Sequence, residues 1–368
     1  MTTSLPAIES NLRAIRSQVG ERGILAALKA NAYGHGIVEV SQMIEKTNAA
    51  DWLGVAKIAE GAKLREAGIS LPILNLSVAR GNEISQGIVN QISLTVVDEL
   101  SATQISQAAS ELQLPARVQL KVDTGMGRIG CRCDEAMQLA EQIMTSPHLI
   151  LEGIFSHMPV SDDPTQDDFS ARQIERFAQT CQEVEKTTGQ LLKHLANSGA
   201  ILAHPDSWFD MVRPGIMCYG AYPSQEVPKA IALAAALTWT TEVSFVKKVA
   251  AGETVSYGRT WTASEPTWIA TIPVGYGDGY SRALSNKGRV LIRGASYPIV
   301  GRVCMDQFMV ELGAQTDVVV GDQVTLIGRD HDEEITTSEI AALMETIPYE
   351  VTCLITDRVL RSYNDNPG

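Results

Sequence analysis

The chain has 368 residues, 45% hydrophobic and 20% charged, with a formal net charge of -13; this balance supports a packed core and leaves no compositional case for disorder. The acidity, with no run of clustered Lys or Arg, argues against a nucleic-acid or anionic-membrane surface and makes small solutes the expected partners. With no basic leader before an apolar stretch and no apolar run of roughly eighteen residues, the sequence predicts a cytoplasmic protein that crosses no membrane. In chain order, short apolar runs alternate with amphipathic stretches: GILAAL near 23, DWLGVA near 51, PILNLS near 72, ISLTVV near 92, RVQLKV near 117, ILEGIFS near 150, LKHLANS near 192 and MVRPGIMCYG near 211. Helical patterns such as GIVEVSQMIEK, DELSATQISQAASEL and DDFSARQIERFAQTCQEVEK lie between them, each apolar on one face. Repeated strand–helix units of this number predict an α/β fold, a (β/α)8 TIM-type barrel over residues 1–225, with a doubly wound open sheet as the competitor.

From residue 226 to 368 the texture changes. LTWTTEVSFVKKV, TWIATIPV, RVLIRG, YPIVGRV and QVTLIG alternate apolar and polar residues between Gly-rich turns and predict a mainly β domain. One late helix is expected at TSEIAALMETI, with Thr336 and Glu339 spaced as a capping box. The closest of six cysteines, Cys131 and Cys133, have one residue between them, and the six histidines form no HxxxH or HxH pair, so reduced thiols and no metal are expected.

In a barrel, chemistry gathers where strands end. Lys29 closes the first run and leads into ANAYGHG, with Tyr33 in the same loop. Position alone leaves this lysine as a snorkelling surface amine or as the Schiff-base lysine that holds pyridoxal phosphate. The fifth run enters KVDTGMGRIG, where Lys121, Asp123 and Arg128 flank a glycine-rich turn, and Arg128 has the fork to hold a carboxylate. His157, His194, Asn197 and Ser198 follow the sixth and seventh runs, where a buried structural histidine is the commoner reading. Ser198 gains weight from the eighth run, since Gly215 and Ile216 would add backbone donors for a phosphate there. Arg213 beside a pyridine ring would donate to the ring nitrogen and leave it unprotonated. The weaker electron sink disfavours a long-lived carbanionic intermediate and suits simple proton exchange at an α-carbon, which points towards a racemase.

KANAYGHG, DTGMGRIG, HLANSGA, VRPGI, SYGRTW, GYGDGY and GRVCMDQ, in this order over nearly the whole chain, make it resemble the alanine racemase family. The resemblance implies a homodimer with shared active sites, a barrel followed by a β domain, pyridoxal 5'-phosphate as cofactor, and two-base interconversion of L- and D-alanine to supply peptidoglycan. By position it implies Lys29 as cofactor lysine and one base, and Tyr257, from the partner subunit, as the other. His157 and Arg213 would form the hydrogen-bonded chain that tunes that tyrosine. Tyr33, Ser198, Gly215 and Ile216 match phosphate contacts, and Arg128 and the backbone at Met305 match the grip on the substrate carboxylate. Lys121 matches a lysine carbamylated in many members, and His194 matches the partner of Arg213. Cys304 flanks Met305, while Asp162, Tyr276, Arg282, Arg302 and Asp306 match the channel and interface.

One position departs from the family's common pattern. Asp357 stands where many relatives place a tyrosine that touches phosphate. Either the change is tolerated in a late segment, or the smaller residue makes room for serine beside alanine; near a phosphate its carboxylate is expected to turn away or be paired. A decarboxylase of the same architecture would need an acidic partner for the ring nitrogen, which Arg213 is not. A cofactor carrier using a lone barrel would leave Tyr257 and the CMD segment without purpose.

Overall fold

The computed structural model describes residues 1–364 and divides into two compact units, one of Ala7–Ala32 with Gly36–Ala234 and one of Met1–Pro6, Tyr33–His35 and the chain from Ala235. Residues 226–234 therefore pack with the first unit rather than the second, and two short upstream segments join the β unit.

The first unit is the expected barrel. Its strands are β1 (Gly23–Ala27), β2 (Trp52–Val55), β3 (Ile73–Asn75), β4 (Ile92–Val96), β5 (Ala116–Lys121), β6 (Leu149–Phe155), β7 (Leu192–His194) and β8 (Met211–Val212). They pair in parallel in that order, with β8 returning to β1 through Gly23↔Met211 and Ile24↔Val212. Between β7 and β8 the ring is closed by Asp210 N–H donating to Lys193 O at 3.0 Å and Arg213 N–H to Ala196 O at 2.9 Å. The last two strands are shorter than their apolar runs. Asn197 ends the first by capping a helix, its Oδ1 accepting from Ala200 N–H, and Pro214, which has no N–H, ends the second.

Parallel strands are covered on both faces, which is why these runs read as continuous apolar segments. Inside, Leu25, Leu74, Phe155 and Met211 form one buried cluster. Outside, α1 (Leu5–Val19) precedes β1, and α2 (Ile37–Thr47), α3 (Ile58–Glu66), α4 (Asn82–Val89), α5 (Glu99–Leu112), α6 (Ala136–Thr145) and α7 (Asp167–Thr188) each follow a strand. A Cβ at Gly54 would overlap the Leu25 side chain, so glycine there lets the interior fill. A bulge in β6 pairs Val118 with Leu151 but Gln119 with Gly153; the skipped Glu152 accepts from Ser93 Oγ at 2.6 Å and Arg117 Nη1 at 2.6 Å.

The second unit is the expected mainly β domain. Its sheet runs Phe245–Val249, Thr267–Ile272, Phe308–Gly313, Ala295–Val300, Arg289–Ile292, Gln323–Asp330 and Leu237–Glu242, then Thr2–Ser4 and Ser362–Asn364. The strand Phe308–Gly313 was not among the sequence expectations, although its burial alternates along the strand. Tyr280 stacks on Phe308 at 4.9 Å and meets Trp239 edge-on at 5.9 Å in the core. Only half of the expected capping box forms. Thr336 Oγ1 accepts from Glu339 N–H at 3.0 Å, but the Glu339 carboxylate is taken by Arg289, whose Nε donates to it at 2.7 Å. A charge-assisted pair displaces the weaker reciprocal bond. Among the described residues no helix is long and apolar enough to cross a membrane, and no group of His, Cys, Asp and Glu is placed to hold a metal.

Within the barrel unit, Asn11 of α1 ties the start of the unit to its end. Its Nδ2 donates to Cys218 O (3.1 Å) and Ala234 O (2.9 Å), and its Oδ1 accepts from Ala234 N–H at 2.8 Å, with the side chain buried. Asn11→Ala is expected to lower unfolding free energy by about 3 kcal/mol, read as an earlier urea midpoint with unchanged slope.

Candidate active site

Lys29 ends the loop after β1, and the next residues are unusual. Ala30, Asn31, Ala32 and Tyr33 all have φ between 52 and 55°, a left-handed turn made without glycine. Each such residue costs about 1–2 kcal/mol, so neighbouring contacts must over-determine the turn. Ala30 N–H donates to Glu60 Oε1 at 2.7 Å, while Glu60 Oε2 accepts from Ala56 (2.9 Å) and Lys57 (3.1 Å) in the loop after β2. Asn31 Oδ1 accepts from Ile37 N–H at 2.9 Å and Ala32 N–H donates to Leu28 O at 2.7 Å. Glu60 thus clamps the residue after Lys29 to the neighbouring loop. Sequence reasoning missed it; the available signal was an acidic residue in the first turn of α3, which reads as an ordinary helix start.

The mouth of the barrel gathers cations in an acidic chain. Lys121 is buried, and its ammonium lies over the Phe155 ring at 4.2 Å. Burial first, then Arg213 and Arg128, hold its amine well below the usual lysine range, with Asp123 opposing and Lys29 adding to the shift. Asp123 is already engaged, because Oδ1 accepts from Gly125 N–H (2.9 Å) and Oδ2 from Gly127 N–H (2.8 Å), which shapes the glycine-rich turn. The pocket therefore has excess positive charge and suits an anionic ligand.

Arg213 is the most constrained of these cations. Its Nη1 donates to His194 Nδ1 at 2.7 Å, and its Nη2 to Ser156 O (2.6 Å) and Leu195 O (2.9 Å). His157 Nδ1 lies 3.5 Å from Nη2, a long contact. No acceptor among the described residues meets Nε–H. Burial lowers the guanidinium to about 9, so it stays charged at neutral pH. Burial and Arg213 push both His157 and His194 well below the usual histidine value.

Two helical starts adjoin nearby. Asn197 caps Ser198–Ala203 (α8), and Gly215 precedes the 3-10 turn Ile216–Tyr219; Gly215 N–H donates to Ser198 Oγ at 2.9 Å. First-turn amides of such starts lack intrahelical partners and suit a phosphate. Lys29, Lys121, Arg128, His157, His194, Ser198, Arg213, Gly215 and Ile216 all belong to this one unit.

Tyr33, Tyr257, Cys304, Met305, Asp306 and Asp357 belong to the other unit. Tyr33 is buried with its ring 5.9 Å from that of Tyr349. Tyr257 is 73% exposed and follows Ser256 at φ 68°, whose Oγ donates to Arg302 O at 2.6 Å and meets Cys304 Sγ at 3.5 Å. Met305 is half-exposed, its carbonyl accepting from Gly277 N–H, and Asp306 accepts from Arg358 Nη2 at 2.8 Å. The Asp357 carboxylate is exposed and paired with Arg361 at 3.3 Å.

The sequence profile of the alanine racemase N-terminal domain matches residues 3–223, and that of the alanine racemase C-terminal domain matches residues 236–363. The chain belongs to the alanine racemase family. Similar relatives are the alanine racemase of Cutibacterium acnes, 50% identical over 97% of this chain and 95% of its own, and that of Symbiobacterium thermophilum, 41% identical over 98% and 95%. Among solved structures, the alanine racemase of Clostridium difficile 630 superposes with TM-score 0.93 at 37% identity over 99% of this chain and 95% of its own. That of Bartonella henselae, with covalently bound pyridoxal phosphate, gives 0.88 at 26% over 99% and 98%. Seen within the family, the cation-rich barrel mouth and the strained turn after Lys29 are the parts that can be tested without a ligand.

Removing one acceptor at Glu60 by Glu60→Gln should speed amide exchange at Ala30 and Asn31 by about tenfold or more, read by hydrogen exchange of the peptide that follows β1; unchanged protection would mean the clamp is not needed. Two histidines held neutral also set a pH trend. The folded state binds fewer protons than the unfolded one below about pH 6.5, so stability should fall with falling pH, by up to about 1.4 kcal/mol per unit for each histidine. Urea unfolding between pH 7.5 and 5.5 checks this, and His157→Gln should flatten the slope.

Proposed function

We propose that this chain racemises alanine as a pyridoxal-phosphate enzyme, with Lys29 as the lysine that holds the cofactor. The observation that carries the reading is Arg213, whose two terminal nitrogens are committed to His194 and to backbone carbonyls, leaving Nε–H for a ring nitrogen. The residues fit the cofactor. The adjoining helix starts at Ser198 and Gly215–Ile216 suit its phosphate, and the excess cations offset its charge; Tyr33 keeps the phosphate role that the family resemblance implies. Pyridoxal phosphate, when bound, supplies a covalent anchor for the substrate amine and a conjugated ring that spreads the charge left at the α-carbon.

This chain's residues do the rest. Arg213, charged at neutral pH, keeps a proton off the ring nitrogen and so limits charge delocalisation to what proton exchange requires. The Lys29 amine takes or returns the α-proton on one face. Tyr257 of the partner subunit serves the other face in a homodimer with shared sites; its exposure supports this role, since a tyrosine left in water can complete a neighbour's site. His157 and Arg213 form the hydrogen-bonded chain that would serve this tyrosine. Arg128 and the Met305 backbone hold the substrate carboxylate, with Cys304 and Asp306 as supports. Lys121, whose amine burial and the neighbouring Arg213 and Arg128 hold well below the usual lysine range, is suited to carry a carbamate that would set an anion beside Arg128. Asp357 stands exposed and paired with Arg361 where relatives place a larger tyrosine, and serine is proposed as a second substrate. The enzyme would act in the cytoplasm and supply D-alanine for peptidoglycan.

Chiral chromatography of L-alanine and L-serine incubated separately with cofactor-loaded protein tests the reading. D-alanine from wild type and none from Lys29→Ala is expected, and comparable D-serine would support the second substrate. Mixing inactive Lys29→Ala and Tyr257→Phe protomers should restore activity, because one site of each mixed dimer is then intact. No recovery on mixing would refute the shared site, and no D-product from wild type would refute the racemase.

A further inference from the structure

One side chain that no motif singled out lies behind Arg213. Gln119 is fully buried in β5, two residues before Lys121 and on the same face of the strand. Its Oε1 lies 2.7 Å from His194 Nε2, and its own Nε2 has no hydrogen-bond partner among the described residues. We propose that Gln119 is a positioning residue for the racemase reaction: its carbonyl holds His194 as the Nε2–H tautomer, and His194 in turn holds Arg213 so that Nε–H is left for the cofactor ring nitrogen. The role rests on the functional reading above.

A guanidinium has only donors, so the His194 Nδ1 that faces Arg213 Nη1 at 2.7 Å must be a lone pair. The neutral ring then carries its proton on Nε2, which needs an acceptor, and Gln119 Oε1 is that acceptor. Rotating the amide would satisfy Gln119 Nε2 but place a donor against His194 Nε2. The ring proton would move to Nδ1 and face the Arg213 donor. An imidazolium fails in the same way, with an N–H aimed at the guanidinium. Stacking on Phe155, at 4.9 Å and 5° between planes, keeps the ring from turning aside. The unpaired Gln119 Nε2 is the cost of keeping the chain polarised in one direction.

Histidine tautomers in 15N-histidine-labelled protein, with and without cofactor and before substrate is added, read this directly. Wild type should show His194 as a single Nε2–H form. Gln119→Met, of similar shape but with no acceptor, should lose that signature and raise pyruvate released per D-alanine formed by about tenfold. Gln119→Glu, which keeps an acceptor, should restore both. Should Gln119→Met not fold, Gln119→Asn, too short to span the distance, gives the same two readings. A folded Gln119→Met or Gln119→Asn protein with the wild-type tautomer, or with an unchanged pyruvate ratio, overturns the positioning role. Absence of D-alanine formation by wild type overturns the functional reading and this role with it, so the two failures are told apart.

Discussion

The site depends on one buried cation. Arg213 is charged, almost inaccessible to water and placed where β8 ends, a situation that is unfavourable unless its donors are met. Ser156 and Leu195 meet it with carbonyls at the ends of β6 and β7, and His194 meets it with a ring nitrogen. The requirement to satisfy one guanidinium therefore fixes three adjacent strand ends against one another. It also needs a lone pair on His194 Nδ1, which the Gln119 acceptor at His194 Nε2 complements.

Around that arginine, the barrel concentrates positive charge against the trend of an acidic chain. Lys29, Lys121, Arg128 and Arg213 share one mouth, and the nearby Asp123 is committed to backbone amides. Gathering like charges in this way is unfavourable by itself and is offset by anionic ligands. The same economy is visible after β1, where four residues are held left-handed and Glu60 supplies the acceptor that keeps the turn in place. Strain and charge are concentrated where chemistry is proposed, while the β unit, with its aromatic core of Trp239, Tyr280 and Phe308, is built from ordinary packing.

Much of this was legible in the amino-acid order. Burial on both faces makes barrel strands uniformly apolar, so their runs could be counted, and the polar residues closing each run marked Lys29, Lys121, His157, Ser198 and Arg213 as sharing one mouth. Motif order pointed to the family. Gln119 and Glu60 were not legible, because each looks ordinary locally: one is a polar residue within an apolar strand, the other a carboxylate in a helix's first turn. Their importance comes from partners 75 and 30 residues away. The reciprocal cap expected at Thr336 and Glu339 failed for the same reason, since Arg289 is a stronger partner that local spacing cannot reveal.

Element types, the barrel with its following β domain, and the family could be read along the chain, because periodicity and short motifs are local properties. Which donor meets which acceptor was settled by folding: among the described residues no acceptor meets Arg213 Nε–H and no carboxylate pairs with Lys121, which lies over the Phe155 ring, while Asp357 pairs with Arg361. The outcomes at Arg213 and Lys121 depend on contacts between residues far apart in sequence, where burial makes every unsatisfied polar group costly and so leaves few arrangements open.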